Sequence, residues 1–297
     1  MRSLLNTLFV LFLLTGLVAC GGKKEAEQEQ TAEEAYDEAT KELPSASLFE
    51  NLPDASQVAA TIQLTGAEYV EGLVNDAANV EYYLDDADGK QAACVGVYFS
   101  DIAYTTMYDQ GATAYDQFQS AQKLAENLGT ARSLDQAVAS RFKDRLDGND
   151  KAQEVLDEAF ESANQNLRTE DRALLSAAAT SGWYIEGLYL LTQLVKNYPA
   201  DGLDEDTKNL VLLPLTRGIL NQGKLLNQVI AIIEDVKPDN TRADYFVYDL
   251  YDLKASFDKI NIDEVVENAD PNTMISTEDL NEITEKAALL RERVVAP

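Results

Sequence analysis

Two long stretches of this sequence are apolar on nearly every side, and they limit the possible folds more than any other feature. Residues 91–108 carry one charged side chain, Asp101, and residues 173–195 carry one, Glu186. A helix built from such a segment has no polar face to turn toward water, so it belongs in the interior of a protein. We therefore predict two central helices around which the other elements pack.

The rest of the sequence after residue 53 has helical periodicity. Apolar residues recur every three or four positions, and no alternating pattern typical of a strand lasts for more than four residues. Glycine, proline and short polar residues separate the segments. We predict an all-α fold, an irregular multi-helix bundle of about ten helices with no sheet. The helices are expected at residues 54–64, 67–84, 90–110, 112–128, 133–147, 150–167, 170–198, 205–236, 241–260 and 277–294.

The two lone carboxylates need partners inside the core. A buried carboxylate costs several kcal/mol unless it is paired, hydrogen-bonded or protonated. Tyr98 lies on the same helical face as Asp101, and Arg217 belongs to a polar stripe of the helix expected at 205–236. We predict a buried polar network of Asp101, Tyr98, Glu186 and Arg217 across a central groove. The alternative for Arg217 is an ordinary solvated face of its helix.

The first twenty residues have the composition of a secretory leader. Arg2 precedes a short apolar core, which is too short to span a bilayer as a permanent helix. Residues 17–20, Leu-Val-Ala-Cys, resemble the lipobox of bacterial lipoprotein precursors, in which the cysteine is acylated and becomes the first residue of the mature protein. The resemblance implies a lipid anchor, including palmitate, on Cys20 and a location at the outer membrane of the bacterial cell envelope. The alternative is an ordinary signal peptide with an unrelated cysteine.

The segment after the leader has too little apolar surface to form a core. Residues 21–45 hold eight acids, three lysines and no aliphatic side chain larger than alanine before Leu43. We therefore predict three regions, with at most a minor break near 199–204. These are a lipoprotein signal peptide at 1–19, an acidic disordered tether at 20–45 and a single all-helical domain at 46–297.

Composition excludes several kinds of chemistry. The chain has no histidine, which removes serine–histidine and cysteine–histidine catalysis and histidine-ligated metals. Cys94 is the one cysteine besides Cys20, and we expect it to be a small buried apolar side chain. The net charge of −28 repels nucleic acid. We expect no cofactor, no metal and no nucleic-acid partner.

Short blocks within the two central helices carry a second resemblance. Residues 96–98 and 101–104 (Gly-Val-Tyr and Asp-Ile-Ala-Tyr) and residues 182–189 (Gly-Trp-Tyr-Ile-Glu-Gly-Leu-Tyr) are similar to the central blocks of an uncharacterised family of helical lipoproteins from Bacteroidota. That family usually has a glycine in place of Phe99 or Ser100, ahead of the aspartate. The resemblance would span residues 50–200, and it implies no activity.

These features favour a membrane-anchored envelope lipoprotein with a non-enzymatic binding or scaffolding role, whose partner is an envelope protein or a small ligand. One alternative is a glycosidase-like hydrolase that uses Asp101 and Glu186 as a carboxylate pair. Another is a small-ligand-binding lipoprotein with a pocket lined by tyrosines. The geometry of the pair discriminates between them. A tightly packed pair is structural, whereas a pair that opens on a pocket about 5–10 Å across is catalytic or ligand-binding.

Overall fold

The structure is a computed structural model of the chain, and all the residues that it describes belong to one compact unit, Leu43–Pro297. The leader, the tether and the helix expected at 54–64, apart from helical Ile62, lie outside these residues. The described residues are 62, 66–130, 134–146, 149–169, 172–199, 202, 204–236, 247–262, 265 and 275–297.

The described residues form helices and loops without any β-strand, so the all-α prediction is confirmed. A short 3₁₀ helix at Ala77–Asn79 precedes α1, at Val80–Tyr83. From α2 to α9, each helix overlaps a predicted one. These helices are α2 (Asp88–Met107), α3 (Gly111–Asn127), α4 (Gln136–Arg145), α5 (Asn149–Thr169), α6 (Ala173–Lys196), α7 (Glu205–Val236), α8 (Val247–Phe257) and α9 (Thr277–Val295).

The helices α2 and α6 form the centre of the bundle, and both are buried along most of their length. Two glycines bring their backbones into contact. A Cβ atom on Gly96 would lie 1.9 Å from the carbonyl oxygen of Ala179, and one on Gly182 would lie 1.9 Å from that of Ala93. Both distances are far below van der Waals contact, so only a residue without a side chain fits at either position. The two glycines therefore set how closely the central helices approach.

The other helices surround this pair. α3 and α5 pack against α2, α7 and α9 pack against α6, α8 lies against both α7 and α9, and α4 packs against α5. The hydroxyl of Tyr184 on α6 donates to the carbonyl of Gln222 on α7 at 3.2 Å. The break expected near 199–204 falls in the connection between α6 and α7, two helices that pack directly on each other.

The prediction of a helix at 67–84 is wrong for its first half. Residues 67–76 form extended and turning backbone, and regular helix begins with the 3₁₀ helix at Ala77. Gly66 and Gly72 have φ angles of +66° and +80°, which a right-handed helix does not allow. We call residues 66–76 the strap.

The backbone of the strap bonds to side chains at the C-terminal end of α2. The hydroxyl of Tyr104 accepts a hydrogen bond from the N–H of Val70 at 3.0 Å. The hydroxyl of Tyr108 donates to the carbonyl of Ala67 at 2.6 Å. Because buried backbone groups need partners, these tertiary bonds can replace the helical ones that the periodicity suggested.

Candidate functional site

Asp101 lies in the middle of α2, on the side that the strap covers. Its side chain is fully buried, and its Oδ2 atom accepts a hydrogen bond from the backbone N–H of Asn75 at 3.0 Å. The side chain of Gln117 on α3 donates to the carbonyl of the same Asn75 at 3.4 Å. The strap thus directs a backbone donor toward the buried carboxyl group, and α3 helps to hold the strap in place.

Glu186 lies in the middle of α6, and an arginine from the last helix pairs with it. Glu186 is fully buried, and Nε of Arg291 on α9 lies 3.0 Å from its Oε2 and 3.2 Å from its Oε1. Nη2 of Arg291 also donates to the carbonyl of Leu73 in the strap at 3.1 Å. The guanidinium lies 4.6 Å from the ring centroid of Tyr189, within the range of a cation–π contact. Arg291 therefore ties α9 to both α6 and the strap.

The carboxyl groups of Asp101 and Glu186 are close enough for each to shift the pKa of the other. Burial raises the pKa of Asp101 well above its usual value, and the neighbouring charge of Glu186 raises it further. Burial also raises the pKa of Glu186, but Arg291 opposes this effect by favouring the charged form. The proton therefore resides on Asp101. In the described part of the chain Oδ1 of Asp101 has no hydrogen-bond partner, which leaves this oxygen to carry the proton.

Together these three side chains are electrically neutral, and we call Asp101, Glu186 and Arg291 the acid cluster. Asp101 is an uncharged acid, and the charges of Glu186 and Arg291 cancel. This balance matters because an uncompensated buried charge costs several kcal/mol. The side chain of Arg291 is 17% exposed and that of Glu186 is 0% exposed, so the cluster meets solvent at Arg291.

Arg217 is not the cation that faces the buried carboxylates, and the prediction that placed it there is corrected in favour of Arg291. The reason is the orientation of α6. Tyr184 faces α7, which carries Arg217, and Glu186 lies two residues further along, about 200° around the helix. Glu186 consequently faces α9. Within the described residues Nε and Nη2 of Arg217 are buried and have no hydrogen-bond partner.

Tyr98 lies close to the acid cluster without bonding to it. Its hydroxyl donates to the carbonyl of Asp76, at the end of the strap, at 3.0 Å. Burial raises the pKa of Tyr98, so the phenol stays protonated and remains a donor. Tyr98 therefore holds the strap in place and does not supply a hydrogen bond to Asp101.

Two members of the site were missed by the sequence analysis. The sequence did contain a signal for Arg291. It lies four residues after Ala287 and three before Val294, so it shares a helical face with these two buried apolar residues. A cation at this spacing next to the apolar stripe of α9 indicates a buried partner. Asn75 had no such signal, because it contributes its backbone N–H and its segment was expected to be helical.

The described residues give little support for metal binding or for a nucleophilic cysteine. They contain no group of three or more Asp, Glu, Cys or His side chains that could hold a metal ion. Burial raises the pKa of the Cys94 thiol to about 12, so it is protonated and a poor nucleophile at neutral pH. Its Sγ atom lies 3.5 Å from the carbonyl oxygen of Val294 on α9.

A groove lies at one end of the bundle. It has a volume of about 740 Å³ and is bounded by the C-terminal end of α6 and the first turns of α7 and α9. We call it the end groove. Asp101, Glu186 and the tyrosines are not among its described lining residues. It is therefore separate from the acid cluster and differs from the tyrosine-lined pocket that a small ligand was expected to need.

Comparison with known proteins does not assign this chain to a family. No family, no curated protein and no solved structure matches this chain. The leader and Cys20 lie outside the described residues, so lipidation stays a prediction. Both sequence resemblances also stay predictions, because no matching family or protein tests them. In the part of the chain that is described, no helix is both long enough and apolar enough to cross a membrane.

Proposed function

We propose that this protein is a membrane-anchored lipoprotein of the bacterial cell envelope, at the outer membrane, with a non-enzymatic binding or scaffolding role. The observation that supports a non-enzymatic role is the closed geometry of the acid cluster. Asp101 and Glu186 are fully buried and lie close enough for each to shift the pKa of the other. Glycosidase carboxyl pairs stand about 5–10 Å apart, because the scissile bond or a water molecule must fit between them. Both carboxyl groups of the acid cluster are 0% exposed, so neither faces a site that a substrate could enter, which favours a structural role.

The anchoring part of the proposal rests on the leader, in which an apolar core and small residues precede Cys20. Each buried methylene of an acyl chain contributes about 0.8 kcal/mol to membrane binding, so two or more chains on one residue anchor a protein stably. The tether at 20–45 would then separate the helical domain from the bilayer. Partners would bind to the surface of the bundle, while the acid cluster stabilises its interior.

Metabolic labelling with an alkyne analogue of palmitate tests the anchor. The wild-type protein is expected to take up the label and to fractionate with membranes. The Cys20→Ala variant should lose the label, and Cys94→Ala is the matched control that should keep it because Cys94 is buried. Labelling that is unaffected by Cys20→Ala, or that is lost in Cys94→Ala, would contradict the proposal.

A hydrolase assay tests the non-enzymatic role. The purified full-length protein is expected to hydrolyse aryl glycosides no faster than buffer. Hydrolysis that Glu186→Gln abolishes, in a variant that still folds, would instead favour the carboxylate-dependent enzyme. For the non-enzymatic role, crosslinking in intact cells followed by co-purification would identify the partner in the envelope.

One observation favours the small-ligand form of this binding role. The end groove has a volume of about 740 Å³, and small-molecule sites in proteins span about 300–1,000 Å³. A ligand site at the end of the bundle would leave the acid cluster undisturbed.

A further inference from the structure

Two lysines line the end groove without the ion pairs that other lysines of the described regions form with carboxylates. The chain has 52 acidic and 24 basic residues. Neither Lys196 nor Lys208 forms an ion pair with any described residue, although both line the end groove. Other lysines of the described regions do form ion pairs with carboxylates, namely Lys90, Lys123, Lys254, Lys259 and Lys286.

Unpaired cations that share one concave surface attract an anion. The potential inside a groove is focused by the low-dielectric protein around it, so Lys196 and Lys208 reinforce each other there. The protein has an excess of acids that could have neutralised them. Glu285 also lines the groove but forms no ion pair with either lysine. The charge of the groove is therefore available to a ligand.

The remaining walls of the groove combine aliphatic and amide groups. Val195, Leu212 and Leu280 contribute apolar surface, and Asn209 and Asn281 contribute hydrogen-bonding amides. Apolar surface that faces an open groove gains free energy when an apolar chain covers it, by about 25 cal/mol per Å². The walls thus suit a molecule with a charged end and an aliphatic body.

We propose that the end groove binds a small organic anion with an aliphatic chain, of the class of medium-chain carboxylic acids. The carboxylate lies between the ammonium groups of Lys196 and Lys208, and the chain lies along Val195, Leu212 and Leu280. The negative charge of Glu285 disfavours polyanions in the same groove. This inference rests on the small-ligand form of the proposed binding role, and it is independent of the anchor because a chain without its lipid would bind the same acid.

Calorimetric titration of the full chain carrying Cys20→Ala, in detergent-free buffer, tests the ligand class. Octanoate is expected to bind saturably at one site. Acetate should bind far more weakly, because each methylene removed costs about fourfold in affinity. Octan-1-ol, which has the chain without the charge, should bind at least about tenfold more weakly than octanoate.

Two double variants test the location. Lys196→Gln with Lys208→Gln should weaken octanoate binding by about tenfold or more. Lys123→Gln with Lys143→Gln removes the same charge outside the groove and should change the affinity by less than about twofold. Thermal melting of both variants checks that they fold like the parent.

Three results would overturn the proposal. These are the absence of saturable octanoate binding, equal weakening by the two double variants, and octan-1-ol binding as tightly as octanoate. None of these results bears on palmitate labelling of Cys20, so a failure of the groove proposal and a failure of the anchor proposal are distinguishable.

Discussion

The middle and the C-terminal end of α6 have opposite environments. Around Gly182 and Glu186 the helix is enclosed by α2, α9 and the strap, and its buried charge has a matched partner. At Val195 and Lys196 the same helix borders the open end groove, and its charge has no partner among the described residues. One helix thus serves two purposes. Its middle holds the bundle together, and its end is free to meet a ligand.

This difference leads to different sensitivities. Substitutions in the middle of α6 should change the free energy of unfolding, because they disturb close packing or leave a charge uncompensated. Substitutions at its end should change binding while leaving stability almost untouched.

The largest effect is expected from Glu186→Ala. It leaves the guanidinium of Arg291 without its carboxylate, and breaking a buried pair in this way costs about 3–5 kcal/mol. Glu186→Gln keeps the shape and an acceptor oxygen, so it should cost less. Urea unfolding measures both, and Glu285→Ala, at an exposed position of α9, is the control that should cost under about 0.5 kcal/mol. If Glu186→Ala unfolds like the parent, the acid cluster does not stabilise the fold.

A comparably large effect is expected from Gly182→Ala. The added methyl group would meet the backbone of α2, which cannot move aside as a side chain can, so we expect a loss of about 3 kcal/mol. Gly187→Ala is the matched control on the same helix, because a Cβ there meets nothing within 4 Å. It should be neutral or should stabilise by about 0.5–1 kcal/mol through helix propensity. Equal losses in the two variants would show that α2 and α6 are not in backbone contact.

A smaller, pH-dependent effect is expected from Asp101→Asn. Because the pKa of Asp101 is higher in the folded than in the unfolded state, the folded protein binds an extra proton from about pH 4 up to the folded pKa. The wild type should lose stability as the pH rises through this window, whereas asparagine cannot titrate. The difference in free energy of unfolding between the two proteins should shift in favour of the variant by at most about 1.4 kcal/mol for each unit that the pH rises.

Urea unfolding of both proteins between pH 4 and pH 8 measures this difference. A difference that stays constant across this range would show that Asp101 does not hold a proton in the folded protein.

The smallest effect on stability is expected at the end groove. Lys196→Gln with Lys208→Gln should change the melting temperature by less than about 2 °C, because both side chains are exposed and form no ion pair with a described residue. Calorimetric melting measures it. A loss of several degrees would mean that these lysines hold α6 and α7 in place and are not reserved for a ligand.

The parts of this fold that could be predicted depend on local pattern. α2 and α6 follow from apolar composition, and a single charge in each indicates a buried carboxyl group. The strap could not be predicted, because its bonds join distant positions. Asn75 bonds to Asp101, 26 residues away, and Leu73 bonds to Arg291, 218 residues away. Periodicity contains no information about such partners.

The choice between two arginines illustrates the same limit. Arg217 is 31 positions from Glu186 and Arg291 is 105, yet the more distant one forms the pair. Sequence gives the face of each helix but not which neighbour that face meets. That depends on how α6 is rotated between α7 and α9, and the packing of the whole bundle determines it.

The buried thiol of Cys94 can report the transient opening of the helical bundle. The sulfur lies on α2 beneath the C-terminal end of α9, so a disulfide reagent can reach it when these two helices separate. If Cys20 carries lipid, Cys94 is the single free thiol of the mature chain. The rate of thiol exchange would then follow the population of the opened state, provided that reclosing is faster than the reaction. The opening of the bundle could be timed in this way while the protein remains attached to its membrane.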